Sequence, residues 1–296
     1  MIVPSFGRSE ILHQLVLDLL AQVTAPKEII VIHQQPNLSS VYTHKLRVLA
    51  QKDRIQLKEA EFTNAQRARN LGILQAVGDI VLLLDDDVRV PPHLIEHHLA
   101  NYEEDPLLDG VVGQVLEVGQ SPTVTFPFQH YWPHVGWQHF PLNFGIRSPV
   151  INWPSTNSSI RRHVAIEIGG FDEQFECTWL DDTDFSFRLL QQKTKLVFDP
   201  RASITHLKIQ SGGKRLLSRP SLLLDKDGWM THFYFWRKNF GLWKARYPIL
   251  WQLRHIIFRK AVLLRPHWLF QNLFHMIRGY QSATEKLKQG PRYLTR

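Results

Sequence analysis

Three consecutive carboxylates, Asp85-Asp86-Asp87, follow directly on the apolar run Ile80-Val-Leu-Leu-Leu84. Adjacent carboxylates repel one another, so the triplet asks for a cation. If extended backbone continues through it, Asp85 and Asp87 point to one side and Asp86 to the other, and the outer pair can share a hard divalent ion. A second acidic group, Asp181-Asp182-Thr183-Asp184, precedes the amphipathic run Phe185, Phe187, Leu189 and Leu190. Acids at a helix N-terminus are favourable in their own right, because they accept free backbone N–H groups and complement the dipole. The functional alternative is that one of them faces a cleft as a general base, a hydrogen bond away from an acceptor hydroxyl.

Arg67 and Arg69 lie two residues apart in Ala65-Gln-Arg-Ala-Arg-Asn-Leu-Gly72 and diverge on a helix, so at most one faces a given ligand. An arginine fork suits a diphosphate because it donates two parallel hydrogen bonds. His206 ends a predicted strand ahead of the basic loop Ser211-Gly-Gly-Lys-Arg215, and a neutral imidazole can complete a carboxylate metal site. His93 and His97 have i,i+4 spacing without the glutamate of a zinc hydrolase, and His130, His134 and His139 sit in an irregular segment. Both sets read as structural or solvated.

The elements that must hold these residues follow from periodicity. Ile2-Val3-Pro4 opens as a short strand, and Ser9 is the expected N-cap of a helix carrying Ile11, Leu12, Leu15, Val16 and Leu19. Residues 28–33 read as a buried strand, 40–50 as a helix, 55–57 as a strand, and 64–77 as a helix closed by Gly78 at C′. The apolar run 80–84 lacks alternation, as expected of a strand covered on both faces. A helix to about Tyr102 follows Pro91-Pro92, then a strand at 110–118. Residues 119–155, rich in proline and aromatics, read as a long loop or lid. A second αβ passage runs over 158–206, with a helix after Asp181-Asp182 and a strand near 195–198. This is the cadence of an α/β fold with an open, mainly parallel sheet, whose ligands bind at the carboxyl ends of the strands, where Asp85 falls.

The 296 residues, 44% hydrophobic and 21% charged, suit a globular protein of one large or two small domains. Such a chain covers its core without disulfides, and Cys177 alone makes neither a bridge nor a cysteine cluster. Nothing at the start resembles a secretory signal, so a cytoplasmic protein in a reducing compartment is expected. The net charge of +8 divides sharply: residues 1–205 carry 17 Lys/Arg against 24 Asp/Glu, and residues 206–296 carry 18 against 3. A tail of that kind is drawn to a polyanion. It does not read as transmembrane, because the longest uncharged stretch, 118–146, holds four prolines and three histidines, and Arg254, Arg259, Lys260 and Arg265 interrupt the apolar C-terminal stretch. Residues 233–240 and 250–264 mix Trp, Phe, Leu and Ile with Arg and Lys, the composition of helices that lie in a headgroup layer. Absent are G-x-G-x-x-G after the first strand, G-x-x-x-x-G-K-[ST], G-x-S-x-G and paired cysteine doublets, which removes the signatures of dinucleotide redox enzymes, P-loop nucleotidases and serine hydrolases.

Over about residues 1–215 the chain resembles the family 2 glycosyltransferases, an inverting group with the GT-A fold. The resemblance is carried by Ile2-Val3-Pro4-Ser5-Phe6-Gly7-Arg8, Ala68-Arg69-Asn70-Leu71-Gly72-Ile73, Gly78-Asp79, and Leu84-Asp85-Asp86-Asp87 as a D-x-D element. It continues in Asn157-Ser158-Ser159-Ile160-Arg161-Arg162, Gly169-Gly170-Phe171-Asp172-Glu173, and Leu180-Asp181-Asp182-Thr183-Asp184-Phe185 with Arg188. It implies a GT-A, Rossmann-like domain over 1–215, with a nucleotide-sugar part to about 118 and an acceptor part beyond, followed by a basic helical region over 216–296.

The implied activity is transfer of a sugar from a nucleotide-diphosphate donor to a hydroxyl of a glycan or lipid-linked acceptor, with Mn2+ or Mg2+ as cofactor. The resemblance implies metal binding by Asp85, Asp87 and His206, a place for Asp86 near the donor ribose or sugar, and donor contacts from Pro4, Ser5, Arg8 and Arg69. Asp182 matches the aspartate of the family's Glu-Asp element, the usual base. Asp181 stands where glutamate is common, which leaves open which acid is the base. Asp181, Trp179 and Trp153 are candidates for acceptor-side or auxiliary contacts. The second strand ends in His33-Gln34-Gln35 where the family usually places an aspartate that reads the nucleotide base.

A lipid-linked acceptor would suit peripheral contact with an anionic membrane at its inner face; nucleic acid is not an expected partner. Two competing readings fit the sequence less well. A sugar-1-phosphate nucleotidyltransferase expects a glycine-rich loop for which Ser5-Phe-Gly-Arg8 is too short, and a nucleic-acid binder leaves both aspartate groups unexplained.

Overall fold

The computed structural model of the protein describes residues 1–125, 131–132, 136–137, 140–176, 180–209, 225–256 and 260–294. In chain order the elements are β1 (Ile2–Phe6), α1 (Ser9–Leu20), β2 (Ile30–Gln34), α2 (Val41–Gln51), β3 (Gln56–Ala60), α3 (Ala65–Gln75), β4 (Ile80–Leu84), β5 (Val88–Arg89), α4 (Leu94–Glu104) and β6 (Gly110–Glu117). There follow β7 (Tyr131–Trp132), β8 (Gly136–Trp137), β9 (Ser148–Pro149), β10 (Asn157–Arg161), α5 (Arg162–Glu167), α6 (Asp181–Gln191), β11 (Leu196–His206), α7 (Lys226–Ile256), α8 (Lys260–Leu263) and α9 (Pro266–Gln289).

The main sheet runs β3-β2-β1-β4-β10-β6-β11-β5, with β9 beside β11. β3, β2, β1 and β4 are parallel, while β10 is antiparallel to both β4 and β6. The chain winds outward from β1 to β3 and then returns to β4, so the reversal of strand order lies between β1 and β4. That is where an open α/β sheet leaves a crevice at its carboxyl edge.

Alternation along the central strands explains their unbroken apolar runs. Ile2, Ile30, Ile32, Val81 and Leu83 enter one core with Ala68 and Ile73 of α3. Val3, Val31, Leu82 and Leu84 enter the other with Leu12, Leu15, Val16 and Leu19 of α1. Helices therefore cover both faces, the layering of a GT-A (Rossmann-like) domain. Gly72 sets the depth of α3: a Cβ there would stand 2.3 Å from Ile2 Cγ2, so only glycine lets this helix lie so close to β1.

Three local expectations are corrected. Arg8 rather than Ser9 occupies the N-cap of α1 and gives no side-chain cap; the Ser9 hydroxyl instead meets Thr43 Oγ1 at 2.8 Å and His33 Nε2 at 3.4 Å. α3 stops at Gln75 with an extended Ala76, short of Gly78. Glu28 Oε1 accepts from the N–H groups of Val77 and Gly78, which competes with helix continuation. The segment 119–155 is more than a loop, since Phe140, Phe144, Val150 and Trp153 are buried in the first core and β9 pairs with β11.

The C-terminal helices join the same body. Trp229, Met230, Phe233, Tyr234, Phe235 and Trp236 of α7 pack with Phe175 and with Phe187 of α6. Beneath them Lys238 Nζ lies 2.8 Å from Asp172 Oδ2 and 2.7 Å from Asp184 Oδ1, both carboxylates wholly buried. Burial alone would raise the Asp184 pKa, but Arg188, Lys238 and the Asn239 amide hold it below the ordinary carboxylate range. Removing one partner of a buried pair leaves the others uncompensated. Lys238→Met is therefore expected to destabilise the fold by about 3–5 kcal/mol in urea unfolding; a change below about 1 kcal/mol, the range of an exposed pair, would show the bridge to be dispensable.

Candidate active site

The crevice between β1 and β4 gathers side chains from four separate parts of the sequence. Pro4, Ser5 and Arg8 come from β1 and its turn, Arg69 from α3, Asp85, Asp86 and Asp87 from the end of β4, and Asp181 and Asp182 from the first turn of α6. His206, at the end of β11, lines an adjoining cavity that shares Thr156 with the first.

The extended backbone expected through the triplet does not continue: β4 ends at Leu84 and residues 86–87 bend, so Asp86 and Asp87 both reach Arg8, while Asp85 and Asp87 still offer oxygens on the side of His206. Asp86 turns toward β1, with Oδ2 accepting from Ser5 Oγ at 2.6 Å and Oδ1 from Arg8 Nη1 at 3.0 Å. Burial pushes its carboxyl up to about 6 against the pull of these two donors. Arg8 Nη1 also lies 2.8 Å from Asp87 Oδ2, so one guanidinium balances two of the three acids. Asp87 Oδ1 looks the other way, 3.3 Å from His206 Nε2. One ligating atom from each of Asp85, Asp87 and His206 falls within 4.8 Å of the others. Two carboxylates and an imidazole form a donor set that suits a divalent ion such as Mn2+ or Mg2+. His206 Nδ1 accepts from the Lys208 N–H at 3.1 Å, so ligation through Nε2 requires that N–H to move off Nδ1.

The second acidic group does not cap its own helix. α6 opens after Leu180, whose φ of 61° is left-handed, and it has no side-chain cap. Asp181 Oδ2 instead accepts from Gln66 Nε2 at 2.7 Å and Arg69 Nη1 at 2.8 Å. Arg69 Nη2 reaches to 4.0 Å from Asp85 Oδ1, so this buried arginine bridges the two acidic groups. Burial alone would lower its pKa, yet Asp182, Asp181 and Asp85 hold it above the ordinary value.

Asp182 is the least compensated acid. Crowding by the protein, and then the charges of Asp181 and Asp85, push its carboxyl up to about 7, with Arg69 and the Ser155 hydroxyl pulling the other way. Its Oδ1 is buried without a hydrogen-bond partner among the described residues.

Several placements depart from or extend the sequence reading. Arg67 points away, stacked over the Phe62 ring at 4.4 Å. Trp153 is no acceptor platform: it is wholly buried, 4.9 Å from the Phe185 ring, with Nε1 donating to Ser159 O. Its backbone N–H donates to Ser186 Oγ, which donates to Asp182 O, so it braces the first turn of α6 from behind. Trp179 lies outside the described residues, as do His130, His134, His139 and residues 211–215. Gln66, Phe6, Gln34 and Thr156 were missed. Gln66 was reachable, because i and i+3 share a helix face and it stands three residues before Arg69; Gln34 stands at the strand end where the resemblance places a base-reading residue, and Phe6 and Thr156 carry no local signal.

Comparison with known proteins agrees with this fold and crevice. The family model described as Glycosyl transferase family 2 matches residues 1–170. The chain belongs to that family and has the GT-A fold. Among solved structures it resembles S. aureus TarS 1-349 in complex with UDP-GlcNAc, with a TM-score of 0.60 and 16% identity over 99% of this chain and 92% of that one. It also resembles GalNAc-T7 with UDP, GalNAc and Mn2+, with a TM-score of 0.59 and 16% identity over 90% of this chain and 57% of that one. The chain thus spans little more than half of GalNAc-T7, and at these identities the likeness is one of fold. No curated protein sequence matches the chain.

Proposed function

We propose that the protein transfers a sugar, with inversion, from a nucleotide-diphosphate donor to a hydroxyl of a glycan or lipid-linked acceptor, and that Asp182 is its base. The observation that carries this is the unpaired Asp182 Oδ1 set in one crevice with a cluster of ligating groups. Inversion needs a base on the face of the sugar opposite the departing diphosphate, and a carboxylate with one oxygen free of protein donors can accept the acceptor's proton. Asp85, Asp87 and His206 would hold the divalent ion, which when bound supplies Lewis-acid stabilisation of the leaving diphosphate. Arg8 and Arg69 add fixed positive charge on the donor side, and Ser5 and Pro4 form the floor beside Asp86. Asp181 serves as an anchor, because both Gln66 and Arg69 depend on its Oδ2.

In this reading residues 1–215 are the catalytic unit, residues 216–296 are a basic extension, and the enzyme works in the cytoplasm in peripheral contact with an anionic membrane, with no nucleic-acid partner. The UDP and UDP-GlcNAc in the related structures make uridine donors the first to test. A thermal-shift panel of UDP, GDP and dTDP sugars, each with Mn2+ or with chelator, checks the donor site. A donor at one hundred times its Kd adds about 2.7 kcal/mol, which is about 5 °C for a chain of this size. At least one donor is expected to do so with Mn2+ and not with chelator. No shift with any nucleotide sugar would overturn the assignment.

A further inference from the structure

We propose that the outward face of α9, together with α7 beyond its kink, docks on an anionic phospholipid bilayer. The inference rests on the peripheral contact proposed above and names the surface that makes it. Up to Gly241, α7 turns its large side chains inward, with Trp229, Met230 and Phe235 buried. Gly241, at φ 69°, breaks the helix, and beyond it Ala245, Ile249 and Leu253 still pack inward while a second apolar set faces outward. Trp243 is 75% exposed, and Tyr247, Leu250 and Trp251 continue its stripe at i+4, i+7 and i+8. On α9, Phe270 (70% exposed), Phe274 and Ile277 repeat at i, i+4 and i+7, while Leu269, Leu273 and Met276 pack inward against α7. An ordinary surface helix turns such residues to the core; here two neighbouring helices turn a second set to the outside.

Cations accompany the rings. Arg246 lies 5.1 Å from the Trp243 ring and 4.8 Å from that of Tyr247, Arg265 lies 4.2 Å from Trp268, and Arg278 lies 5.6 Å from Phe274. Between Asp227 and Glu285 the sequence holds nine Arg/Lys and no acid. Guanidinium groups at ring level can meet headgroup phosphates while the rings enter the interface. No helix among the described residues is long and apolar enough to cross a membrane, so the face lies on the bilayer.

Other occupants fit less well. A second copy meeting this face with its own would set cation against cation, with Glu285 the one acid in residues 228–296 to offset them. A nucleic acid would use the cations and rings but leave exposed Leu242, Leu250, Leu264 and Ile277 without a partner. Acyl chains accept them all.

The test is co-sedimentation of the full chain with vesicles of phosphatidylcholine alone and of phosphatidylcholine with about one-third phosphatidylglycerol, at low salt and at about 0.5 M salt. Binding is expected to the anionic vesicles only and to fall with salt. The combined variant Trp243→Ser, Trp251→Ser and Phe274→Ser is expected to weaken it by at least about tenfold. These rings are exposed, so the variant's melting temperature and its donor turnover without vesicles are expected to equal those of the parent. Wild-type protein that ignores anionic vesicles overturns membrane contact altogether. Wild type that binds while the triple variant binds equally overturns this surface and spares the contact. A dimer dispersed by the variant, or RNA bound in preference to vesicles, overturns the bilayer as occupant. Donor turnover measured without lipid judges the transferase reading separately.

Discussion

Asp182→Asn is expected to lower kcat by about 10³-fold, within the range that a positioned general base contributes, while leaving donor affinity within about twofold. The substitution keeps the shape of the side chain and removes only its capacity to take a proton. Donor binding is expected to survive because the groups proposed to hold the donor lie on β1 and its turn, on α3 and just past β4, and none is held by a hydrogen bond to Asp182. The pH profile carries an independent check. A base acts only when ionised, and this carboxyl is pushed up to about 7, so kcat is expected to rise with pH through neutrality. Stability should run the opposite way. A carboxyl whose pKa is higher folded than unfolded binds its proton more tightly in the native state, so its contribution is lost as pH climbs from the ordinary value of 3.8 toward 7. Asparagine has no charge to desolvate, and at pH 8 the variant is expected to melt a few degrees higher, an exchange of stability for activity often seen at catalytic sites. Near-parental turnover by the variant would refute the assignment. Asp181→Asn separates the two acids: it loosens Arg69 and Gln66 and is expected to lower the melting temperature, which Asp182→Asn does not.

The parts of the molecule legible in sequence are those where local chemistry and fold agree. The run 80–84 reads as a doubly covered strand, and its bounds are those of β4. The grouping of Asp85 with Asp87 was expected from extended backbone, but β4 ends at Leu84 and residues 86–87 bend, so Arg8 meets both Asp86 and Asp87 even though Asp85 and Asp87 still offer oxygens beside His206. Long-range balance stayed hidden. Arg69 was expected to face a ligand, yet its nearest partner is Asp181, 112 residues away, a pairing that no local spacing encodes. Trp153 looked available because aromatics in proline-rich segments often are, but the antiparallel insertion of β10 carries it beneath Phe171 and Phe185. The C-terminal helices read as a basic appendage from composition alone. Their inner face, with Lys238 reaching Asp172 and Asp184, is visible only once α6 and α7 lie together.

Asp87→Ala, and separately removal of divalent metal by a chelator, are each expected to lower kcat/KM by about 10³-fold, the size of a lost electrostatic stabiliser of the transition state. Asp87 has two duties, with Oδ2 on Arg8 and Oδ1 beside His206. Alanine removes both, yet Arg8 keeps Asp86 as a partner and the crowded triplet loses a negative charge, so little stability is expected to be lost. Folding and activity therefore come apart, and a melting curve distinguishes a damaged ligand set from a damaged protein. The decisive comparison is the combination of the two treatments. If Asp87 acts by holding the ion, chelator added to the alanine variant has nothing further to remove, and the two losses do not add. If Asp87 acts instead by steering Arg8, chelation and substitution strike separate groups and their effects multiply. Titration of Mn2+ into both proteins then fixes the cause, since the first case requires weaker binding by the variant and the second leaves binding intact. Parental activity that survives exhaustive chelation would exclude a metal role for Asp85, Asp87 and His206, and would leave Arg8 and Arg69 as the counter-charge for the leaving diphosphate.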